Sequence, residues 1–590
     1  MARIIYATLM VVGGIVLTFA LIIGGIMWAL APSTKAMPER IVLQLDLRQS
    51  ISEGSHGGEL LDVLGPHRPG LMEIVSALLQ ARTDKRVVGL MVLTGDAGMG
   101  IAHIQELREA VAGFRSSGKF AYAFAETFGE SGDGLRPFYM ASAAQEIWLQ
   151  PTGLFAATGL LSQTPFVKQA LDKLGISVEA MRRHEFKTAP NSATEPGFTP
   201  AHRENMQQLV ESLYRQIVED VARARGLSAP ELRKLIDSAP LSASDAKVAK
   251  LVDRIAYRDE IDGYIESKVG KGYGYVSVVD YGVSVGPYFR KGPAIALIRG
   301  QGAIMLGKGG SAPLDGGPYI GTETIIKAFR DASDDDEVRA VVFRIDSPGG
   351  SYVASDAIWR EVARTSARGK PVIVSMANVA GSGGYFVAMK ADLIVASPGT
   401  ITGSIGVFGG KPVAAALLDN IGVNIGEIKA GANADMWSMA RRFTPDQLDR
   451  LSKMLDRIYA DFIKKVGEAR KLNAQQVDQV ARGRVFTGAD AKRLGLIDEV
   501  GGIVLAIGYA KAAVGIEPNA DISIKSFPRP QNAATRLLAR LLDSGAESHA
   551  GLGEINRGIS ALGRELRDAG VFWRGEILSM PPLPGLIDLY

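Results

Sequence analysis

The sequence predicts an α/β protein built by tandem duplication behind one N-terminal transmembrane helix. Three observations lead there. Apolar, strand-like runs alternate with amphipathic helices, the order of those elements recurs at a nearly constant spacing, and the chain opens on a long stretch without charge.

The uncharged stretch comes first. No charged residue occurs from Ile4 to Thr34, and about 20 apolar residues suffice to cross a bilayer. Ala29-Leu30-Ala31 has the form of a signal-peptidase site, but the apolar core exceeds the roughly 7 to 15 residues of a secretory leader. An uncleaved anchor is therefore expected, touching lipid through residues 4–31. Arg3 precedes it and Lys35 and Arg40 follow closely, so the positive-inside balance leaves its orientation open.

Beyond the anchor, strands and helices alternate in the manner of an α/β sheet. KRVVGLMVLTGD (85–96) is echoed by DEVRAVVFRIDS (336–347), and HIQELREAVAGFRSSGK (103–119) by DAIWREVARTSARGK (356–370). FYMASAAQEIWLQPTG (138–153) returns 247 residues later as YFVAMKADLIVASPGT. A long helical pattern opening on Thr199-Pro200 returns 245 residues later at Thr444-Pro445. Threonine is a good N-cap, and proline at the first helical position gives up an N–H that has no partner there. A duplicated unit of about 220 residues is far longer than a solenoid repeat.

Composition excludes several functions. Lys and Arg number 66 against 63 Asp and Glu, with no basic stripe, so nucleic-acid binding is not expected. The absence of cysteine removes thiol nucleophiles and thiolate metal sites. The six histidines are scattered without ligand spacing, so no metal is expected. GAIMLGKG (302–309) nearly spells a phosphate-binding loop, but Gly309 stands where the motif needs Ser or Thr. The acidic run DASDDDE (331–337) reads as a solvated helix end.

Residues 378–390, NVAGSGGYFVAMK, set Ser382 among glycines at a strand-to-helix junction. This is a small-residue form of the elbow that lifts a serine above a sheet. At the 247-residue offset it faces Leu135, so only the second copy can be nucleophilic there. Serine among glycines is equally an ordinary turn, so the base matters. Only His549 follows Ser382 among the histidines, in the polar stretch DSGAESHAGLGE, and it reads as solvated. Lysine is the alternative, provided burial or a positive field lowers its pKa from about 10.4 so that it is neutral. Lys187 lies in the aperiodic connection RRHEFKTAPNSATEPGFTP (182–200), opposite the lysine-free Ala432-Asn433-Ala434 of the second copy. Spacing alone does not select it over its neighbours.

The duplication, the anchor, RIDSPGGS (344–351), GSGGY (381–385), TGSIGVFGG (402–410) and FKTA (186–189) together resemble the signal peptide peptidase A, or protease IV, family in its long two-repeat form. The likeness runs to about residue 515. It implies a crotonase/ClpP-like fold for each repeat and a serine peptidase with a Ser/Lys dyad and no cofactor. Ser382 is then the nucleophile, Lys187 its base and Ser404 the hydroxyl that orients the lysine. Gly349 or Gly350 and Gly383 supply the oxyanion N–H groups, glycine letting the backbone approach a ligand closely. Asp346 is assigned to the strand end. The resemblance divides the chain into a cytoplasmic stub and anchor (1–37), a first peptidase-like repeat supplying the lysine (38–285), a second supplying the serine and oxyanion hole (286–515), and a C-terminal extension (516–590). It further implies a single-pass protein of the bacterial inner membrane with its catalytic part in the periplasm, a homotetramer, and hydrophobic peptides such as signal-peptide remnants as substrates.

Two departures and two alternatives accompany it. The family's Lys-Ser-Ala and following Glu-Pro-Phe are here Lys187-Thr188-Ala189, with Glu195 and Pro196 displaced and Gly197 in place of Phe. The alternatives are a crotonase-like acyl-CoA enzyme, which would use the same glycine amides for an enolate, and a catalytically inactive membrane scaffold. Glycine-rich stretches at 52–70 and 300–321 are expected to form flexible rims, and residues 535–543, TRLLARLLD, to pack on the body, a neighbouring subunit or a membrane surface.

Overall fold

The computed structural model describes residues 37–529, apart from 50, 54–69, 96–97, 131 and 312–316. The expected span, most of the first glycine-rich stretch and residues 535–543 lie outside the described residues. Among the described residues no helix is long and apolar enough to cross a membrane.

Two sheets repeat one plan. In the first repeat, β1 (Arg40–Leu47), α1 (Leu71–Ala81), β2 (Val87–Thr94), α2 (Ile101–Arg115), β3 (Phe120–Ala125), α3 (Leu135–Ala141) and β4 (Glu146–Leu149) lead to β5 (Ser177–Arg182), α4 (Pro200–Arg225), β6 (Arg254–Ile255) and β7 (Tyr273–Ser277). Six of these strands form a sheet in the order β6-β4-β3-β2-β1-β7, parallel throughout.

The second repeat runs β8 (Ala294–Gln301), β9 (Ala303–Met305), α5 (Thr322–Asp334), β10 (Val338–Ser347), α6 (Tyr352–Ala367), β11 (Val372–Gly381), α7 (Gly383–Ala388), β12 (Leu393–Ala396), β13 (Ile401–Gly403), β14 (Phe408–Val413), α8 (Pro445–Arg470), β15 (Val485–Thr487), β16 (Glu499–Val500), α9 (Ile503–Ala513) and β17 (Ser523–Phe527). Its sheet is ordered β15-β13-β11-β10-β8-β17, with β12 and β16 branching from β11. β17 lies on β8 as β7 lies on β1. The second copy of the plan therefore extends past the boundary expected at residue 515, because the closing strand falls in the stretch read as an extension.

Parallel strands covered on both faces need near-continuous apolar runs, and the strands supply them. β2 buries Leu90, Met91 and Val92, β10 buries Val341, Val342 and Phe343, and these residues divide between separate apolar clusters on the two faces of each sheet. The long helices start as expected, with Thr199 capping His202 N–H and Thr444 capping Gln447 N–H ahead of Pro200 and Pro445. Polar anchors are duplicated as well. Asp253 accepts from Ile147 N–H and Arg225, and Asp498 accepts from Ile394 N–H and Arg470. Lys119 donates to the carbonyls of Ala81 and Asp84, and Lys370 to those of Ala332 and Asp335.

The acidic run does end helix α5, but Asp335 is tied to Lys525 and Arg529 rather than solvated. The phosphate-loop look-alike forms strand β9, which pairs with Tyr319–Gly321. Among the described residues no helix opens there before α5 at Thr322.

The repeats are joined by exchanged contacts. β5 leaves the first repeat and pairs antiparallel with β14 of the second, from Ser177↔Val413 to Arg182↔Phe408. Helix α4 reaches β15, where the Asn205 side chain both donates to Val485 O (3.0 Å) and accepts from Val485 N–H (2.9 Å). An arm of one repeat is thereby fixed against the other repeat's strand ends.

Candidate active site

Strand β11 ends at Gly381, and Ser382 caps the short helix α7 with φ 53° and ψ −115°. A left-handed φ is uncommon outside glycine and belongs to sharp, strained turns. The turn leaves Ser382 half-buried while its neighbours Gly381 and Gly383 are buried. The equivalent Leu135 is fully buried at the start of α3, so an apolar side chain occupies this place in the first repeat.

Lys187 follows β5, and the β5–β14 pairing carries it across the interface. Its Nζ lies 2.9 Å from Ser382 Oγ, 2.9 Å from Ser404 Oγ and 2.9 Å from the Ser404 carbonyl oxygen. The side chain is 2% exposed, and burial alone lowers its pKa from 10.5 to about 7. A neutral amine has two N–H bonds and one lone pair. The two Ser404 oxygens accept the N–H bonds, leaving the lone pair to face the Ser382 hydroxyl.

Residues 482–485 hold this arrangement and were not marked by any sequence motif. Ser404, at φ 51°, donates its N–H to Arg484 O at 2.6 Å. The Arg484 guanidinium covers the Phe186 ring at 3.4 Å. Gly483, at φ 88°, lies so close that a Cβ added there would sit 2.3 Å from Lys187 N. A glycine in an otherwise periodic stretch is the available sequence signal, and it indicates a close approach only when the neighbour is known.

The glycines of 349–350 form the third part. Both have positive φ, 112° and 149°. A Cβ on Gly349 would lie 2.7 Å from Gly383 N and 2.8 Å from Ser382 Cβ, and one on Gly383 would lie 3.1 Å from Gly350 N. The two loops thus meet beside the serine, with only glycine fitting at the contact. Gly349 N–H donates to Ser347 Oγ at 3.1 Å. Of the two glycines considered at 349–350, this singles out Gly350 as the amide to pair with Gly383, the first helical residue of α7, where N–H groups lack intrahelical partners.

The glycine-rich stretch after residue 300 is not a free rim where it is described. Ile304 N–H donates to Gly349 O, and Ser351 N–H donates to Ile304 O, each at 2.8 Å. Its backbone supplies the edge pairing that the Gly349–Gly350 loop needs. The predicted site residues Ser382, Lys187, Ser404, Gly349, Gly350 and Gly383 are thus gathered in one place, and His549 lies outside the described residues. A serine hydroxyl beside a buried, near-neutral amine and two adjacent amides has the parts for acyl transfer.

Residues 113–270 and 364–517 match the profile of Peptidase family S49. The chain is 34% identical over 457 residues to Protease 4 of Salmonella typhi, covering 75% of this chain and 71% of that one. It is 30% identical over 483 residues to the chloroplastic serine protease SPPA of Arabidopsis thaliana, covering 80% and 69%. Among solved structures, a ClpP1 mutant from Listeria monocytogenes aligns with a TM-score of 0.23 at 15% identity, covering 35% of this chain and 91% of that one.

Proposed function

The chain belongs to Peptidase family S49 and is a serine peptidase of that family; from this premise we propose that it is a membrane-anchored endopeptidase working through a Ser382/Lys187 dyad. The observation that carries the proposal is the 2.9 Å separation of Lys187 Nζ from Ser382 Oγ at a lysine with a pKa of about 7. A base with its pKa near the working pH combines a useful neutral fraction with a useful driving force for proton transfer.

Ser382 Oγ attacks the peptide carbonyl as its proton passes to Lys187 Nζ. The carbonyl oxygen, now negative, accepts hydrogen bonds from Gly350 and Gly383 N–H. The lysine ammonium gives the proton to the leaving amine, the carbon–nitrogen bond breaks, and an ester to Ser382 remains. Water then attacks the ester, with Lys187 taking one proton and Ser382 Oγ recovering it. Ser404 holds Lys187 in place through both steps with two acceptors.

Each repeat is a crotonase/ClpP-like unit in this reading. The uncharged residues 4–34 anchor a single-pass protein in a bacterial inner membrane, the catalytic part faces the periplasm, and four copies assemble. The substrates are hydrophobic peptides, including signal-peptide remnants, brought near by the membrane that holds the enzyme. A serine-reactive fluorophosphonate, applied to detergent-solubilised protein and mapped by peptide mass spectrometry, tests the dyad. Label confined to Ser382, absent in Lys187→Ala and in heat-denatured protein, is expected. Folded wild-type protein that takes no label and cleaves no hydrophobic peptide overturns the proposal.

A further inference from the structure

The ladder between β10 and β11 is regular from Val341↔Val372 to Ile345↔Met376 and resumes at Ser347↔Ala380. Asp346 on β10 therefore stands against three residues on β11: Ala377, Asn378 and Val379. A bulge bends its strand and re-aims the residues beyond it, and bulges gather next to active sites. Here both strands lead into the site, β10 into the Gly349–Gly350 loop and β11 into Ser382.

The bulged backbone has lost ladder partners, and buried N–H and C=O groups need replacements. Asp346 Oδ1 accepts Val379 N–H at 2.9 Å. The Thr400 hydroxyl donates to Ala377 O at 2.7 Å. Asn378 is held by the first repeat: its Oδ1 accepts His103 N–H at 3.3 Å, and its Nδ2 donates to His103 Nδ1 at 3.0 Å. With Nδ1 accepting, His103 carries its proton on Nε2 and donates it to Glu53 Oε2 at 2.6 Å.

Glu53 is fixed in turn by Arg344 of β10, whose Nε and Nη2 donate to the two carboxylate oxygens, while Nη2 also donates to Glu106 at 2.7 Å. Arg344 is fully buried. The donor atoms of Glu53, His103 and Asp346 lie within 4.8 Å of one another, but this is a poor cation site. Both Glu53 oxygens are committed to a guanidinium, and both His103 nitrogens are engaged.

We propose that Asp346, Asn378 and His103 are positioning residues that fix this bulge and thereby set Ser382 against the amides of Gly350 and Gly383. The first repeat then supplies the alignment of the nucleophile as well as its base. The inference rests on reading Ser382 as the nucleophile. Asp346 acts through its acceptor atom, so asparagine substitutes for it and alanine does not.

The test uses the full chain in detergent. Active sites are counted by fluorophosphonate label at completion, and kcat and KM on a fluorogenic hydrophobic peptide are expressed per labelled site. Asp346→Asn is expected to stay within about 3-fold of wild type. Asp346→Ala and Asn378→Ala are expected to lose about 10- to 100-fold in kcat per labelled site with KM nearly unchanged, as a misplacement of about 1 Å costs up to about 100-fold. Asn378→Ala carries the test if Asp346→Ala does not fold. Unchanged kcat per labelled site in the alanine variants overturns the inference, as does an equal loss in Asp346→Asn and Asp346→Ala. Wild-type protein without label at Ser382 would instead refute the dyad on which it rests.

Discussion

Replacing Lys187 with methionine is expected to abolish hydrolysis and, at low pH, to stabilise the protein. The side chain is 2% exposed and its pKa falls from 10.5 to about 7 on burial. At about 1.4 kcal/mol per pH unit, that fall corresponds to about 5 kcal/mol. Between those two values the unfolded chain holds a proton that the folded chain has released, so wild-type stability rises with pH across the window. Above about 10.5 the lysine is neutral in both states and its cost is gone; at and below about 7 the cost is present nearly in full. Methionine has no such dependence, but it leaves Ser404 without the donor it has from Nζ, at a cost of about 1 to 3 kcal/mol. The variant should therefore be more stable than wild type by about 2 to 4 kcal/mol at pH 6, lose that advantage as pH rises, and be the less stable protein near pH 10. Urea unfolding of both proteins at pH 6, 8 and 10 measures the gap. A gap that stays constant over this range would refute the reasoning, because Lys187 would then titrate as an ordinary lysine.

Three further outcomes follow from the same geometry. The rate constant kcat/KM should rise with pH through an apparent pKa of about 7 and then level, since only the neutral amine accepts the serine proton; a pH–rate profile on a neutral peptide reads this directly. Gly350→Ala would push a Cβ to 2.1 Å from Ile304 O at a φ of 149°, displacing one oxyanion donor and lowering kcat by about 100- to 1,000-fold, as steady-state kinetics would show. Gly483→Ala replaces neither member of the proposed dyad, yet its Cβ would press on the Lys187 backbone, 2.3 Å from Lys187 N; kcat should fall by about 100-fold while Ser382 keeps its place, checked by kinetics together with a crystal structure of the variant.

The parts of the site differ in how far the sequence reveals them. Ser382 and the paired glycines lie at strand ends, where an apolar run breaks into small residues, and a local pattern suffices to place them on a turn. The duplication then shows that the first repeat has Leu135 where the serine would be, and the structure buries that leucine completely. Lys187 carries no such local signature. Its chemistry depends on burial produced by residues 195 to 296 positions away, Ser382 and Gly483 among them, and only family resemblance separates it from its neighbours in an aperiodic loop. Asp346 was legible as a strand end but not as the filler of a bulge, because a register shift belongs to a pair of strands and neither sequence alone records it. Gly483 shows the same limit, since a close approach is a property of two chain segments.

The exchange of β5 shows how two copies can contribute to one candidate site. Two-stranded pairing with β14 gives β5 its partner, and an isolated first repeat would present that strand as an open edge. The connection after β5 is then carried to the strand ends of the second sheet, where Gly406 and Gly483 leave room for Lys187. The second repeat has Ala432-Asn433-Ala434 where Lys187 would be, residues 431–434 are largely exposed rather than drawn into a site, and the nearby Lys429 is paired with Asp435 instead. Once one copy's arm crosses to the other, each copy needs to supply only its own half of the proposed dyad. The arm, the α4–β15 contact and the His103–Asn378 pair all lie between repeats, so loosening the interface should reduce activity before it unfolds either sheet.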